Sequence, residues 1–346
     1  MTATTLITGG AGFVGTNLAD RILADGGRVI VFDNLSRAGV EENLEWLTRR
    51  HGAAVDAEIA DLRDERAVAR AVKTCGRVFH LAAQVAVTTS LDEPAQDADI
   101  NLLGTINLLE AARRRTTPPA IVFTSTNKVY GGLDDIELAE RETRYEPVDA
   151  HILGHGIGES RPLAFCTPYG CSKGAADQYV VDYARSFGVP TIVFRMSCIY
   201  GPHQFGTEDQ GWVAHFLIQA LHDRPITVYG DGKQVRDVLY VEDLVDALLR
   251  AQARIDELAG RAFNMGGGAR NTLSLRELIA LIAQLHGREP TIERGPWRQG
   301  DQRYYVSDCA AFTDATGWRP RVSPRDGVRA LARWLATSRD EAVAAA

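Results

Sequence analysis

The sequence predicts an α/β fold built on a doubly wound parallel sheet, followed by a smaller, mixed α/β lobe toward the C-terminus. Three observations carry this expectation. Short apolar runs rich in β-branched residues alternate with longer segments of helical period over the first two hundred residues. A glycine triplet sits where the first run passes into the first helical segment. Beyond Tyr200 the alternation gives way to helices separated by Gly-Pro, Gly-Asp-Gly and Gly-Gly-Gly.

Taken in order, the expected strands cover 4–8, 28–33, 55–61, 77–82, 121–126 and 191–196. The helical segments between them cover 12–24, 41–50, 64–74, 94–115 and 169–187. Strands linked by helical crossovers pair in parallel, which gives the doubly wound sheet. Residues 131–168 form a long, polar, Gly-containing insertion without clear period, and long ordered loops of that kind often serve as lids or binding loops. A strand near 262–266 is expected to return to the main sheet. Ser274, with Glu277 three residues on and an apolar run through Leu285, reads as a capping box opening a helix that stops at Gly287. An Ala-rich tail closes the chain and is expected to fray; no internal repeat is present.

Composition excludes several classes of function. The 346 residues carry 38 Lys+Arg against 45 Asp+Glu, a net charge of -7, which gives little attraction for polyanions and argues against nucleic-acid binding. Hydrophobic residues at 45% and charged residues at 24% are ordinary for a folded chain and exclude extensive disorder. The five cysteines, Cys75, Cys166, Cys171, Cys198 and Cys309, form an odd set without a CxxC pair. That fits reduced thiols and supports neither a disulfide framework nor a sulfur-ligated metal. No secretory leader and no membrane-length apolar run is found, so a cytoplasmic protein is expected.

Gly9, Gly12 and Gly15 each meet a mechanical need, respectively a tight turn, close approach of the backbone to a pyrophosphate, and close packing of helix on strand. The free N–H groups and the dipole of the following helix then face the phosphates. Asp33 closes the second strand, where a carboxylate accepts hydrogen bonds from ribose hydroxyls and repels a 2′-phosphate. The expected fold is therefore the Rossmann arrangement and the expected cofactor is NAD rather than NADP, although Arg37 lies close by in sequence. Asp61, at the end of the third strand, is a further candidate contact for the adenine side, with a solvated turn as the alternative.

Tyr169 and Lys173 stand four residues apart at the start of a helical segment, which places both on one helix face. An ammonium beside a phenol favours the phenolate, and a tyrosine tuned this way can take a proton from a sugar hydroxyl while hydride leaves the same carbon. YxxxK alone is common by chance. It becomes specific with the glycine loop and with Thr126 at the C-terminal end of the fifth strand, the edge where open α/β sheets bind ligands.

With these residues in place the chain resembles the extended short-chain dehydrogenase/reductase family of nucleotide-sugar enzymes. The likeness runs from LITGGAGFVG through FHLAAQ, STNKVYG, PYGCSKGAADQY and GKQVRDVLYVEDL to DQRYYVSD. Within the family it is most similar to the CDP-paratose/CDP-tyvelose 2-epimerases, through DNLSRAG, QVAVTTS, ETRY and DQGWV. The resemblance implies chemistry by Thr126, Tyr169 and Lys173. It implies NAD held by Gly9, Gly12, Phe13, Val14, Gly15, Asp33, Asn34, Asp61, Leu62, Leu81 and Ala82 together with Tyr169 and Lys173. It implies a nucleotide-diphosphate sugar near Thr88, Asn127, Cys198, Gln204, Gln210, Arg236 and Arg303, with the two arginines on the diphosphate.

The family's 4,6-dehydratases carry Asp and Glu after the Thr, where this chain has Asn127 and Lys128, and its decarboxylating members usually carry Glu at the Lys128 position. The resemblance therefore implies epimerisation: transient oxidation to a keto-sugar and re-reduction on the opposite face, at C2 of a CDP-3,6-dideoxyhexose or a related sugar. A UDP-hexose 4-epimerase is the enzymatic alternative, and a non-catalytic dinucleotide sensor the alternative of another class. Cys198 stands where many relatives have a substrate-binding Asn. Residues 1–200 are expected to form the NAD-binding domain and 201–346 mainly the nucleotide-sugar lobe, interleaved with it. A homodimer or higher homo-oligomer is expected by the same analogy, through the helices at 94–115 and 169–187.

The remaining candidates have simpler readings. Ser90 joins Thr88 as a residue that reaches sugar hydroxyls or caps a loop. Asp209 and Trp212 follow the sixth strand, and Trp212 reads rather as a packed aromatic. His151 and His155 have the spacing of a metal pair, but Gly154, Gly156 and Gly158 argue for a loop and no metal site is expected. His80, on a strand, reads as a hydrogen-bonded core histidine.

Overall fold

The computed structural model describes residues 4–344. The chain begins β1 (Thr5–Thr8), α1 (Phe13–Ala24), β2 (Val29–Asp33), α2 (Val40–His51), β3 (Val55–Ile59), α3 (Glu65–Thr74), β4 (Arg77–His80), α4 (Val87–Asp92), α5 (Pro94–Ala98), α6 (Gly104–Arg113) and β5 (Ala120–Thr126). It continues β6 (Leu138–Glu140), β7 (Tyr145–Pro147), α7 (Ala150–His155), α8 (Thr167–Phe187), β8 (Thr191–Met196), β9 (Cys198–Tyr200), α9 (Trp212–Leu221), β10 (Ile226–Tyr229) and β11 (Val235–Tyr240). The last part holds α10 (Val241–Ala253), α11 (Ile255–Leu258), β12 (Arg261–Met265), β13 (Thr272–Ser274), α12 (Leu275–His286), β14 (Ile292–Gly295), β15 (Tyr304–Tyr305), α13 (Ala310–Thr316) and α14 (Pro324–Ala344).

Packing divides the chain into two units: residues 1–129, 165–196 and 245–263 in the first, and 130–164, 197–244 and 264–346 in the second. The chain thus crosses between units at several points other than residue 200, and the 131–168 insertion packs with the second unit as far as residue 164.

The first unit is organised by a seven-stranded sheet of order β12-β8-β5-β4-β1-β2-β3. The pairs from β3 through β8 are parallel, with registers such as Thr8 opposite both Phe32 and His80, and Thr126 opposite Met196. The strand order reverses at β1 and β4, so the carboxyl ends of these two strands form the switch point where open α/β sheets take ligands. The expected return of a strand near 262–266 is met by β12. Leu6, Phe32, Val68, Val78, Leu108, Ile121, Phe123, Ala176 and Val193 share one buried cluster that joins strands to helices. Helix α3 shows how local sequence fixes position: Asp64 accepts from the N–H groups of Arg66 and Ala67 at its start, and Ala67, Val68, Ala71 and Val72 turn one face inward. Helix α8 stops at Gly188, whose φ of 66° suits glycine.

The second unit carries a small sheet in which β11 pairs with β13, β15 and β9, and a parallel pair of β10 and β14. Its core gathers Tyr200, Phe216, Leu217, Tyr240, Leu278, Ile282 and Leu331. The capping box is present: Ser274 accepts from the Glu277 N–H while the Glu277 carboxylate accepts from the Ser274 N–H, and Gly287 ends α12 in the left-handed region. The C-terminal helix α14 runs to Ala344, so the last two residues of the Ala-rich tail lie outside the described residues.

Three expectations need correction. Residues 94–115 do not form one helix: α5 and α6 are joined by a π-helical segment, Asp99–Leu103, an insertion of the kind often met at functional sites. Residues 131–168, expected as an ordered loop without clear period, hold secondary structure: β6 and β7 pair antiparallel within them and α7 follows. His151 and His155 lie on a short helix, α7, held at its start by Asp149 accepting from two backbone N–H groups. Their rings stack 4.5 Å apart, and no cluster of metal-ligating side chains is found among the described residues.

Candidate functional site

Strand β1 delivers the chain into the glycine loop at the switch point. Gly9 has φ 68°, and a Cβ there would lie 2.7 Å from the Ala82 nitrogen, so only glycine lets β1 and the segment after β4 meet this closely. A Cβ on Gly15 would lie 2.2 Å from the Gly9 carbonyl oxygen. The Gly9 N–H donates to Phe32 O and the Gly12 N–H to Gly9 O, which fixes the loop. Gly12 caps α1 without a side chain, and Phe13 and Val14 open the helix half-buried.

Asp33 stands at the end of β2 and ties the loop to that strand: its Oδ2 accepts from Ala11 N at 3.1 Å and its Oδ1 from Leu35 N at 2.9 Å. Burial raises its pKa against these backbone hydrogen bonds. Three backbone donors, Ala11, Gly12 and Leu35, leave part of the carboxylate's four lone pairs unused, so a ribose hydroxyl has an acceptor to meet. Arg37 acts on Asp33 electrostatically. Asp61 is engaged differently, gripped by Arg63 at 2.9 Å on each oxygen and by Asn34 Nδ2 at 2.8 Å, and these hydrogen bonds hold its carboxyl far below the usual range. Asn34 and Asp61 therefore bind one another, and Asn34 is exposed. Leu62 is buried in the core, while Leu81 and Ala82 anchor to Thr8 through their N–H groups. These residues fit a dinucleotide: a loop only glycine can form, a helix N-terminus behind it, and a strand-end carboxylate with acceptor capacity to spare.

Thr126 ends β5, and Tyr169 and Lys173 occupy the first turns of α8. The Thr126 and Tyr169 hydroxyls are hydrogen-bonded to one another. Thr126 also donates to Asn127 Oδ1 at 3.3 Å and accepts from Lys128 N at 3.2 Å, inside a 3₁₀ turn over Asn127–Tyr130. The Tyr169 N–H donates to Ser90 Oγ at 3.1 Å, and Ser90 donates in turn to Val87 O. Ser90 is thus a support for the tyrosine backbone, fully buried, and not a free sugar contact. Half-buried Thr88 keeps a hydroxyl oxygen without a partner.

The electrostatics of the pair differ from the sequence expectation. Lys173 Nζ donates to the Thr124 carbonyl at 2.7 Å and lies 4.1 Å from the centre of the Phe123 ring. Burial pushes the Tyr169 phenol up to about 12, with the Thr126 hydrogen bond pulling the other way, and brings the Lys173 ammonium down to about 7. In the protein alone, desolvation outweighs any phenolate tuning by the lysine.

Around this pair lies a buried polar network that the sequence reading missed. Asp97 on α5 accepts from Gln84 Nε2 at 2.8 Å, from Asn101 Nδ2 at 3.1 Å and from the Ser172 hydroxyl. A signal was present in the sequence: Asp97, Asn101, Thr105, Leu108 and Ala112 recur at helical spacing, and all five are buried. A polar stretch continuing an apolar stripe marks a packed network. His80 is a core histidine as expected, bonded to Thr8 and Thr105 hydroxyls and driven down to about 3 by burial.

The second unit holds the other candidates. Arg236 is 7% exposed, and its guanidinium donates to Val235 O, Asp301 Oδ1 and Gln302 O. Arg303 is exposed, lies 5.6 Å from the Tyr145 ring centre and 5.5 Å from that of Trp297, and has no carboxylate partner among the described residues. Cys198 accepts from Trp212 Nε1 at 3.3 Å, and Trp212 packs against the core beside Phe216. Gln204 is buried, donates to Ile199 O and keeps an unpartnered Oε1. Gln210 forms a backbone bridge with Thr207, and Asp209 pairs with Arg298.

Comparison with known proteins meets this geometry. The NAD dependent epimerase/dehydratase family matches residues 5–266. The CDP-paratose 2-epimerase of Salmonella typhi is 45% identical over 339 residues, covering 96% of this chain and 99% of that protein. A UDP-glucose 4-epimerase of Mycolicibacterium smegmatis is 32% identical, covering 94% and 96%. Among solved structures, a UDP-glucose 4-epimerase of Thermus thermophilus in complex with NAD superposes with a TM-score of 0.81 at 32% identity, covering 96% of this chain and 99% of that one. A dTDP-glucose 4,6-dehydratase of Streptomyces venezuelae with NAD bound gives 0.83 at 26% identity, covering 98% of each. The chain belongs to the NAD dependent epimerase/dehydratase family, with NAD as its cofactor.

Proposed function

We propose that the protein epimerises a nucleotide-diphosphate sugar at C2, with a CDP-3,6-dideoxyhexose as substrate. NAD-dependent nucleotide-sugar epimerisation follows from the family and from the 45% identical relative. The observation that carries the choice of reaction is the surroundings of Thr126. Asn127 and Lys128 follow it, so the turn offers no carboxyl pair to remove water from a sugar. The name of the Salmonella typhi relative supports C2 and the CDP group.

NAD, held by the glycine loop and Asp33, would supply a reversible hydride acceptor for the sugar carbon. The chain's own residues handle the proton and the orientation. Tyr169 takes the proton of the reacting hydroxyl, Thr126 holds the same oxygen by hydrogen bonding, and Lys173 supplies positive charge beside them. Arg303 is the better placed of the two arginines for a diphosphate, because its guanidinium is exposed. Arg236 acts on the same segment from behind, through Asp301 and Gln302.

Tyr169→Phe is expected to retain NAD and to lose turnover by about 10²–10⁴-fold, the range of a positioned acid–base group. Full activity in that variant would remove Tyr169 from the chemistry. The five cysteines are free in the structure, which supports a reducing, cytoplasmic setting. Leu103, Tyr179 and Phe187 are large apolar side chains left exposed in the helical segments from 94 to 113 and 167 to 187, which supports a homodimer through these helices.

A further inference from the structure

Lys173 is 3% exposed, and its immediate contacts are a carbonyl oxygen and an aromatic face. A charge this deeply buried needs an opposite charge nearby. Two carboxylates attract it, Asp177 the more strongly and Asp97 second. Asp177 is already gripped by both arms of the buried Arg195, with Nε to Oδ2 and Nη2 to Oδ1 each 2.9 Å, so its charge is matched by a cation in contact.

Asp97 is 1% exposed, and among the described residues no Lys, Arg or His is in ion-pair contact with it. Its partners are the neutral donors of Gln84, Asn101 and Ser172. The orientation of both amides is fixed by backbone N–H groups: Ala86 N donates to Gln84 Oε1 at 2.5 Å, and Gln84 N to Asn101 Oδ1 at 2.9 Å. Both NH₂ ends must therefore face the carboxylate. Burial raises the Asp97 carboxyl above its ordinary value, and the three donors, which suit an ionised carboxylate that only accepts, together with the Lys173 charge pull the other way. Ser172 receives from Asn101, donates to Asp97 and immediately precedes Lys173 on α8.

We propose that Asp97 is a positioning residue for the Tyr169–Lys173 pair: its buried carboxylate is the counter-charge that keeps Lys173 an ammonium, and through Ser172 it fixes the turn of α8 that carries both. The proposal rests on reading Tyr169 and Lys173 as the proton-handling pair. The other titratable groups facing them do not take this part. His80, across from Lys173 on β4, stays neutral through burial and the lysine's own charge; Asp177 is paired with Arg195 from β8; burial raises the Tyr169 phenol, so without NAD it keeps its proton and brings no negative charge.

The chain has four lysines, Lys73, Lys128, Lys173 and Lys233, so labelling lysine Cε for NMR gives four resolvable titrations in the NAD-loaded protein. Lys173→Arg identifies the Lys173 signal by its loss. Removing a negative charge beside an ammonium eases its deprotonation, so in Asp97→Asn the Lys173 midpoint should fall by roughly one pH unit. Lys73 and Lys233 should not move. Ser172→Ala keeps the carboxylate and should shift Lys173 by only a fraction of that.

An unmoved Lys173 midpoint in Asp97→Asn overturns the proposal. Should that variant fail to fold, the parent protein decides. The Asp97 carboxyl carbon, recognised by its displacement in Ser172→Ala, must stay ionised from about pH 6 to 9 and must respond at the Lys173 midpoint. A protonated or unresponsive Asp97 contradicts the assignment. The titration reads no product, so a wrong choice of sugar leaves it intact and shows instead as missing C2 inversion.

Discussion

At the scale of single residues, burial sets the charge state of Tyr169 and Lys173 before any ligand does. The phenol stands at about 12 and the ammonium at about 7 in the protein alone. A cation brought near the phenol favours its ionised form, and the oxidised nicotinamide ring is one. Titrating phenolate absorbance in the parent protein and in Tyr169→Phe, then taking the difference, should place Tyr169 near 12 without NAD and lower with it. An identical midpoint in both states would show that the cofactor does not tune this group.

The arginines invite a second residue-scale comparison. Arg303→Ala should raise KM far more than it lowers kcat and leave Tm nearly unchanged. Arg236→Ala should lower Tm as well, because it strips a partner from Asp301 and Gln302. Equal melting temperatures for the two variants would count against this division. Residue types made Arg236 and Arg303 look alike in sequence; only burial and partners separate them.

At the scale of elements, most of the fold was legible because its signals are local. The strands end within about two residues of expectation, and the Ser274–Glu277 box and Gly287 delimit α12 as anticipated. Ser274→Ala should lower stability by about 1 kcal/mol in thermal unfolding, and no measurable change would show that the box is redundant. Gly15→Ala should cost more, on the order of 2–3 kcal/mol, with loss of NAD binding, since its Cβ would meet the Gly9 carbonyl. What the sequence hid is non-local. The π-helical Asp99–Leu103 segment accompanies contacts that Asp97, Asn101 and Thr105 make with residues far away in the chain, Ser172 and His80. Helix α7 escaped notice because its glycines outweighed the cap at Asp149.

At the scale of the whole molecule, two packing units interleave along the chain, and a boundary at residue 200 is too simple because segments 130–164 and 245–263 each join the unit that their sequence position does not suggest. Such exchanges leave no mark in composition or period. The candidate cofactor and catalytic residues were legible because glycine spacing, a strand-end Asp and YxxxK each express a mechanical need in the sequence itself. The Asp97 network was legible only as the Asp97–Asn101–Thr105 stripe, since its partners Gln84 and Ser172 lie elsewhere in the chain. No helix among the described residues is long and apolar enough to cross a membrane. Replacing Tyr179 and Phe187 by Asp together should convert a dimer to monomer in sedimentation analysis, and an unchanged mass would place any interface elsewhere.

The reaction and the substrate are read together by offering the NAD-loaded protein CDP-, UDP-, GDP- and dTDP-linked sugars and determining product configuration by NMR. Inversion at C2 of a CDP-3,6-dideoxyhexose is expected, with C4 of every sugar left as supplied. Inversion at C4 of a UDP-hexose, with the CDP-sugar unchanged at C2, would contradict the C2 assignment.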